Sequence, residues 1–231
     1  MTDLCQKSHQ VQCVTNFQDL VSTPFQGDRN AMGWVRDLVG DFAEIVEKVP
    51  FDGNMTILHP DELRELPLSE QGNLARQIIL NDFELLKAHG ADPTINLIRH
   101  YERDKNHPFF PTDVYSYHVD RSTVPADTFL CTYYGRSTEI VPNAQAIQKV
   151  RIPEVRDALK KEYQGADADF ELYLKEHFYD LHYQPLPAAR PFSVGVGHLW
   201  KLAIDYPESG VLPCLHRAPE EDGVIRLLLI C

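Results

Sequence analysis

Tyr117-His118-Val119-Asp120 sets a histidine and an aspartate two positions apart in a segment rich in β-forming residues. Side chains alternate along a strand, so both groups project from one face. One imidazole and one carboxylate from a single strand, joined by a distant histidine, make a facial 2-His-1-carboxylate set. Such a set suits Fe(II) and leaves coordination positions open. Downstream, His216 stands near the end of an apolar segment, and Arg226 interrupts Val224–Ile230 ten residues later. A guanidinium inside an apolar strand is costly unless it finds a partner, most simply a carboxylate. An ion pair with a helix Glu or Asp is therefore the plain structural reading of Arg226, and an anionic ligand is the functional one.

Composition alone expects about one HxD pair in a chain of this make-up, so the spacing must be weighed against its competitors. His59-Pro60-Asp61 reads as a helix start, with Pro in the first turn and Asp61 at the positive end of the dipole. His100-Tyr101-Glu102 is a third pair, one methylene longer. His177 and His182 are spaced off a single helical face and read as surface or core residues. His198 reads as a hydrogen-bonded strand residue, and Arg217 as half of an ion pair. The chain has no GxxxxGK[ST] loop, no strand-linked GxGxxG, no GxSxG elbow and no HExxH helix. Those absences argue against a P-loop enzyme, a Rossmann dehydrogenase, a serine hydrolase and a zinc protease.

The elements that must position these groups divide the chain in two. Residues 1–93 read as a helical N-terminal layer. An apolar stripe from Met32 to Val49, capped by Asn30, predicts one helix to Lys48. A short turn follows Pro60, and Ser69 opens a long helix closed by Gly90. Residues 94–231 read as mostly antiparallel β structure, with strands over 94–104, 114–120, 128–134, 138–141, 192–196, 198–204, 211–215 and 223–231. A helical insertion occupies 143–190. The fold class is α+β, its β part a sandwich or short barrel.

The C-terminal half resembles the 2-oxoglutarate/Fe(II)-dependent oxygenases, which carry HxD, a distal His and a following Arg on a double-stranded β-helix. Leu97–Tyr101 is similar to the strand before the HxD strand, Leu130–Glu139 to the strand and turn after it, and Val196–Trp200 to the strand before the distal His. More closely, His118–Asp120, Cys131–Glu139, His216–Pro219 and Arg226–Leu229 resemble an uncharacterised bacterial domain family with no established substrate. The resemblance implies a cupin-like jelly roll with supporting N-terminal helices, and His118, Asp120 and His216 as iron ligands. It further implies Arg226 against the distal carboxylate of 2-oxoglutarate, and Tyr101 or Tyr133 hydrogen-bonded to the same co-substrate. The chain departs from the pattern in the length of its 143–190 insertion and in Leu228, which stands where a small polar residue is usual.

The alternatives are a cupin-like protein holding zinc or another divalent ion without catalysis, and an interaction module in which these residues are structural. The 231 residues carry a formal net charge of −12, which disfavours nucleic acid. No run approaches the ~18–20 apolar residues of a membrane span, and Met1–Val14 lacks the apolar core of an export signal. Five scattered cysteines read as reduced thiols, hence a cytoplasmic protein. The partner expected is a small molecule or a protein side chain; a homodimer through the N-terminal helices or the insertion is compatible with the sequence.

Overall fold

Strand β6 (Asp127–Tyr134) runs through the middle of the molecule and is buried along almost its whole length. A strand covered on both faces reads as a continuous apolar run rather than an alternating one. The computed structural model describes residues 3–51, 53–104, 109–220 and 222–231. Around β6 lies a seven-stranded sheet in the order β1-β2-β11-β6-β13-β4-β3, comprising Val11–Val14, Ala31–Trp34, Leu199–Ala203, Asp127–Tyr134, Arg226–Ile230, Thr94–Ile98 and Met55–Ile57. Only the β1–β2 pair is parallel. A six-stranded antiparallel sheet runs β10-β7-β12-β5-β9-β8, comprising Phe192–Ser193, Glu139–Ile140, His216–Arg217, Tyr117–His118, His182–Pro185 and Ala146–Gln148. From β4 to β7, and again from β10 to β13, successive strands alternate between the sheets. The architecture is mixed α+β.

Residue parity divides the large sheet into two chemistries. Ile95, Leu97, Phe129, Cys131, Tyr133, Leu227 and Leu229 share a core with the helices. Ile98, Leu130 and Leu228 face the opposite way, into a second core with Ile140, Phe192 and Trp200. Trp200 seats on its cross-strand partner Gly33, where a Cβ would stand 2.9 Å from the indole, and its Nε1–H donates to Val194 O at 2.9 Å.

The helices α1 to α4 are Phe17–Ser22, Phe42–Lys48, Pro60–Glu65 and Glu70–His89. Ser69 caps α4 by accepting the Gly72 N–H at 3.1 Å, and Gly90 closes it in the left-handed region at φ +98°. Ala75, Ile79, Asp82 and Leu86 form its buried face at spacings of three and four. His59 precedes α3, whose first turn holds Asp61, as its sequence implies.

Several expectations are corrected. The Met32–Val49 stripe is not one helix: Ala31–Trp34 is a strand and α2 begins only at Phe42, capped by Asp41. The first 93 residues thus contribute β1, β2 and β3 as well as helices. The 143–190 segment holds α5 (Pro153–Glu162) and α6 (Phe170–Glu176), but also β8 and β9, which extend the small sheet. Residues 211–215 are not a strand, and the strand expected over 94–104 ends at Ile98. Cys5 and Cys13 form a disulfide, because a 3-10 turn at Asp3–Gln6 folds the chain back beside β1. Cys131, Cys214 and Cys231 are free. The compartment expected from uniformly reduced thiols therefore loses its basis. No helix among the described residues is long and apolar enough to cross a membrane.

Candidate metal centre

His118 on β5 and His216 on β12 are direct antiparallel partners. Their side chains consequently share one face, with ring centroids 4.6 Å apart. Asp120, just past β5, brings Oδ1 to 3.9 Å from His118 Nε2 and Oδ2 to 3.6 Å from His216 Nε2. One ligand atom from each residue falls within 4.8 Å of the other two, the spacing a single ion requires.

Surrounding contacts fix the state of each group. His118 Nδ1 lies 2.8 Å from Ser116 O, and His216 Nδ1 lies 3.2 Å from Cys214 O. A carbonyl oxygen only accepts, so each Nδ1 carries the proton and each Nε2 presents its lone pair to the cluster. Burial, reinforced by the neighbouring His216, lowers the His118 pKa to about 4. Burial pushes Asp120 the other way, but His216, the Thr128 hydroxyl and His118 outweigh it and hold the carboxyl below its usual range. Thr128 Oγ1 donates to Asp120 Oδ2 at 2.5 Å. A neutral His118 beside an ionised Asp120 is the pairing a divalent cation needs, and His216 Nε2 faces the same point. The turn after β5 is held by Asp205 N–H, which donates to Asp120 O at 2.8 Å. Arg121 ties it to Asp180 at 2.5 Å and Asp205 at 2.7 Å.

The triad opens into a cavity of about 250 Å³ between the two sheets. That is far more than the ~10–15 Å³ one water needs. Arg226 lines the same cavity, 6% exposed. The expected ion pair with a helix carboxylate is absent among the described residues. Arg226 Nη2 instead donates to Thr138 Oγ1 at 2.8 Å and Thr132 Oγ1 at 3.0 Å, and its Nε reaches the latter at 3.3 Å. Neutral hydroxyls orient a guanidinium without balancing its charge, and burial pulls its pKa below the usual arginine range. Tyr101 lines the cavity beside it; burial raises that phenol while Arg226 opposes the rise.

Tyr133 does not reach the cavity, which corrects its expected role. Leu130 and Thr132 point between the sheets, so Tyr133, at odd parity, points into the helical layer. There its hydroxyl donates to buried Asp82 at 2.7 Å and its ring stacks on Phe42. Asp82 is also gripped through both carboxylate oxygens by Arg36. Thr128, Thr132 and Thr138 were not among the expected site residues. Strand parity alone points to Thr132 over Tyr133, whereas Thr138 and Thr128 depend on how the sheets face one another. His198 accepts the Arg36 N–H, and Arg217 pairs with Glu139, both as their sequence contexts imply. His182, expected in a helix, is the β9 partner of His118. Trp200 lies in the inter-sheet core beside Leu130 and does not itself line the cavity.

No protein-family model, curated protein or solved structure matches the chain.

Proposed function

We propose that this protein is a non-haem Fe(II)- and 2-oxoglutarate-dependent oxygenase of the hydroxylase type, built on a double-stranded β-helix. The observation that carries the reading is the pairing, in one cavity, of a His-Asp-His cluster with a buried arginine that has no carboxylate partner among the described residues. Strands alternating between two sheets support the β-helix. The donor chemistry fits the group: two Nε2 lone pairs and one carboxylate would hold Fe(II) and leave positions for ligands. Bound iron and 2-oxoglutarate supply an oxidation in which dioxygen is consumed, succinate and carbon dioxide are released, and one oxygen atom enters a substrate C–H bond.

The chain's own part is positioning. His118, Asp120 and His216 hold the metal, with Ser116, Cys214 and Thr128 fixing their orientation. Arg226, steered by Thr132 and Thr138, pairs with the distal carboxylate of the co-substrate, and Tyr101 hydrogen-bonds the same group. The two sheets exclude water around them.

Iron-dependent conversion of 2-oxoglutarate into succinate tests the reading. Wild-type protein with Fe(II), ascorbate and air is expected to form succinate, and His118→Ala and Asp120→Ala are expected to form none. Folded, iron-loaded wild-type protein that forms no succinate counts against oxygenase function and favours a metal-binding protein without catalysis.

A further inference from the structure

The cross-strand register lays out the cavity floor in rows running toward the β3 edge. Arg226, Ile98 and Met55 form one row, and Leu228, Asn96 and Ile57 the next. Cross-strand partners project from the same face, so each row carries the inter-sheet surface outward from the arginine and the triad. At the outer strand the floor stays apolar although solvent reaches it: Met55 is 52% and Ile57 50% exposed. Edge strands are ordinarily blunted with charge, and this one is not.

Outward of Arg226, two polar side chains of β4, Asn96 and Thr94, interrupt the apolar floor. Asn96 is buried, and its Nδ2 donates to Thr94 Oγ1 at 2.9 Å and Thr94 O at 3.3 Å. Those bonds fix the amide, and its Oδ1 accepts no hydrogen bond among the described residues. Nor is that oxygen sealed away, since His182 Nδ1 is the one fully enclosed side-chain N or O atom without a partner there. Asn96 therefore presents a lone acceptor to the cavity it lines. Apart from the histidines, Asp120 and Arg226 are, among the described residues, the only ionisable groups of opposite charge along the lining, Tyr101 being a phenol. Under the proposed function both are taken, by metal and by co-substrate.

We infer that the outer half of the cavity binds an uncharged substrate with an aliphatic body, which lies along Leu228 and Ile98 toward Met55 and Ile57 and donates a hydrogen bond to Asn96 Oδ1. A carboxylate or ammonium group would have to shed water there without a counter-charge. This inference rests on the oxygenase reading, which leaves neither Asp120 nor Arg226 free for the substrate.

Hexanamide is a suitable probe because it joins an alkyl chain to an N–H donor. Its proton relaxation would be followed with Mn(II)-loaded protein saturated with 2-oxoglutarate, beside hexanoate and hexylammonium. Hexanamide is expected to bind at least tenfold tighter than either ion, and octanamide about fifteenfold tighter than hexanamide, at about fourfold per methylene. Asn96→Leu is expected to weaken hexanamide about threefold to tenfold, and Asn96→Asp to shift the preference to hexylammonium. Melting curves confirm that both variants are folded. Equal binding of the three probes, or no effect of either Asn96 variant, overturns the inference while leaving the oxygenase reading intact. Failure of Mn(II) or 2-oxoglutarate to bind wild-type protein removes that reading, and this inference with it.

Discussion

His118 and His216 are paired neighbours across the β5–β12 ladder, and their Nδ1 atoms both face backbone carbonyls two residues earlier in the chain, Ser116 O and Cys214 O. The same local geometry thus turns both Nε2 atoms toward Asp120. Loss of either imidazole is expected to abolish stoichiometric metal binding, measured as metal content after dialysis. Thr128→Val keeps all three ligands but frees the carboxylate. It should lower metal affinity by about 10–100-fold, with little change in melting temperature.

Arg226 separates ligand binding from stability. Among the described residues its charge is buried against hydroxyls alone, so Arg226→Met removes a cation held without an ion pair. The free variant is expected to be as stable as wild type or more so in urea unfolding. Its affinity for 2-oxoglutarate should nevertheless fall by at least about 30-fold, as for loss of a buried charge partner worth ~2 kcal/mol or more. A variant both destabilised and unchanged in 2-oxoglutarate affinity would mark Arg226 as purely structural.

Tyr101 and Tyr133 are expected to behave oppositely. Tyr101→Phe should weaken 2-oxoglutarate several-fold and leave unfolding nearly unchanged. Tyr133→Phe takes one donor from buried Asp82 and should cost about 1–2 kcal/mol of stability, with co-substrate affinity intact. Calorimetric titration and urea unfolding of the two variants check this directly.

Acid should destabilise the metal-free protein through buried histidines. His118 is lowered to about 4, and His182 to about 3, chiefly by burial. The unfolded chain, with histidines near 6.5, then binds more protons than the folded one. The stability these residues contribute is complete above about pH 6.5 and falls away toward pH 4. Between pH 7 and 4.5 the loss in unfolding free energy should be smaller by on the order of 2 kcal/mol in His182→Phe than in wild type.

The sequence is most legible where a local rule acts alone. Ser69 and Gly90 bound α4 because capping is a matter of adjacent residues, and His118 and Asp120 share a face because strands alternate. The stripe from Met32 to Val49 misleads because Met32 packs against the helices from within a strand, so a strand and a helix covering one core imitate a single helix. β9 is obscured because His182–Pro185 depends on pairing with Tyr117 and His118 rather than on its own composition. Tyr133 was expected at the co-substrate for its chemistry, but parity assigns the inward position to Thr132. Cys5 and Cys13 meet through a short turn that thiol counting does not register. Asn96 has no motif at all: it matters because Leu228 and Ile57 flank it in the folded sheet.

The central claim is tested most directly by anaerobic titration of metal-free protein with Fe(II) and then 2-oxoglutarate, with the visible spectrum recorded for wild type and Arg226→Ala. The account predicts a weak iron-to-keto charge-transfer band that develops in wild type as 2-oxoglutarate is added. In Arg226→Ala, iron should bind but the band should be missing at the same 2-oxoglutarate concentration. Folded wild-type protein that takes up iron without the band contradicts co-substrate binding; folded protein that takes up none contradicts the triad itself.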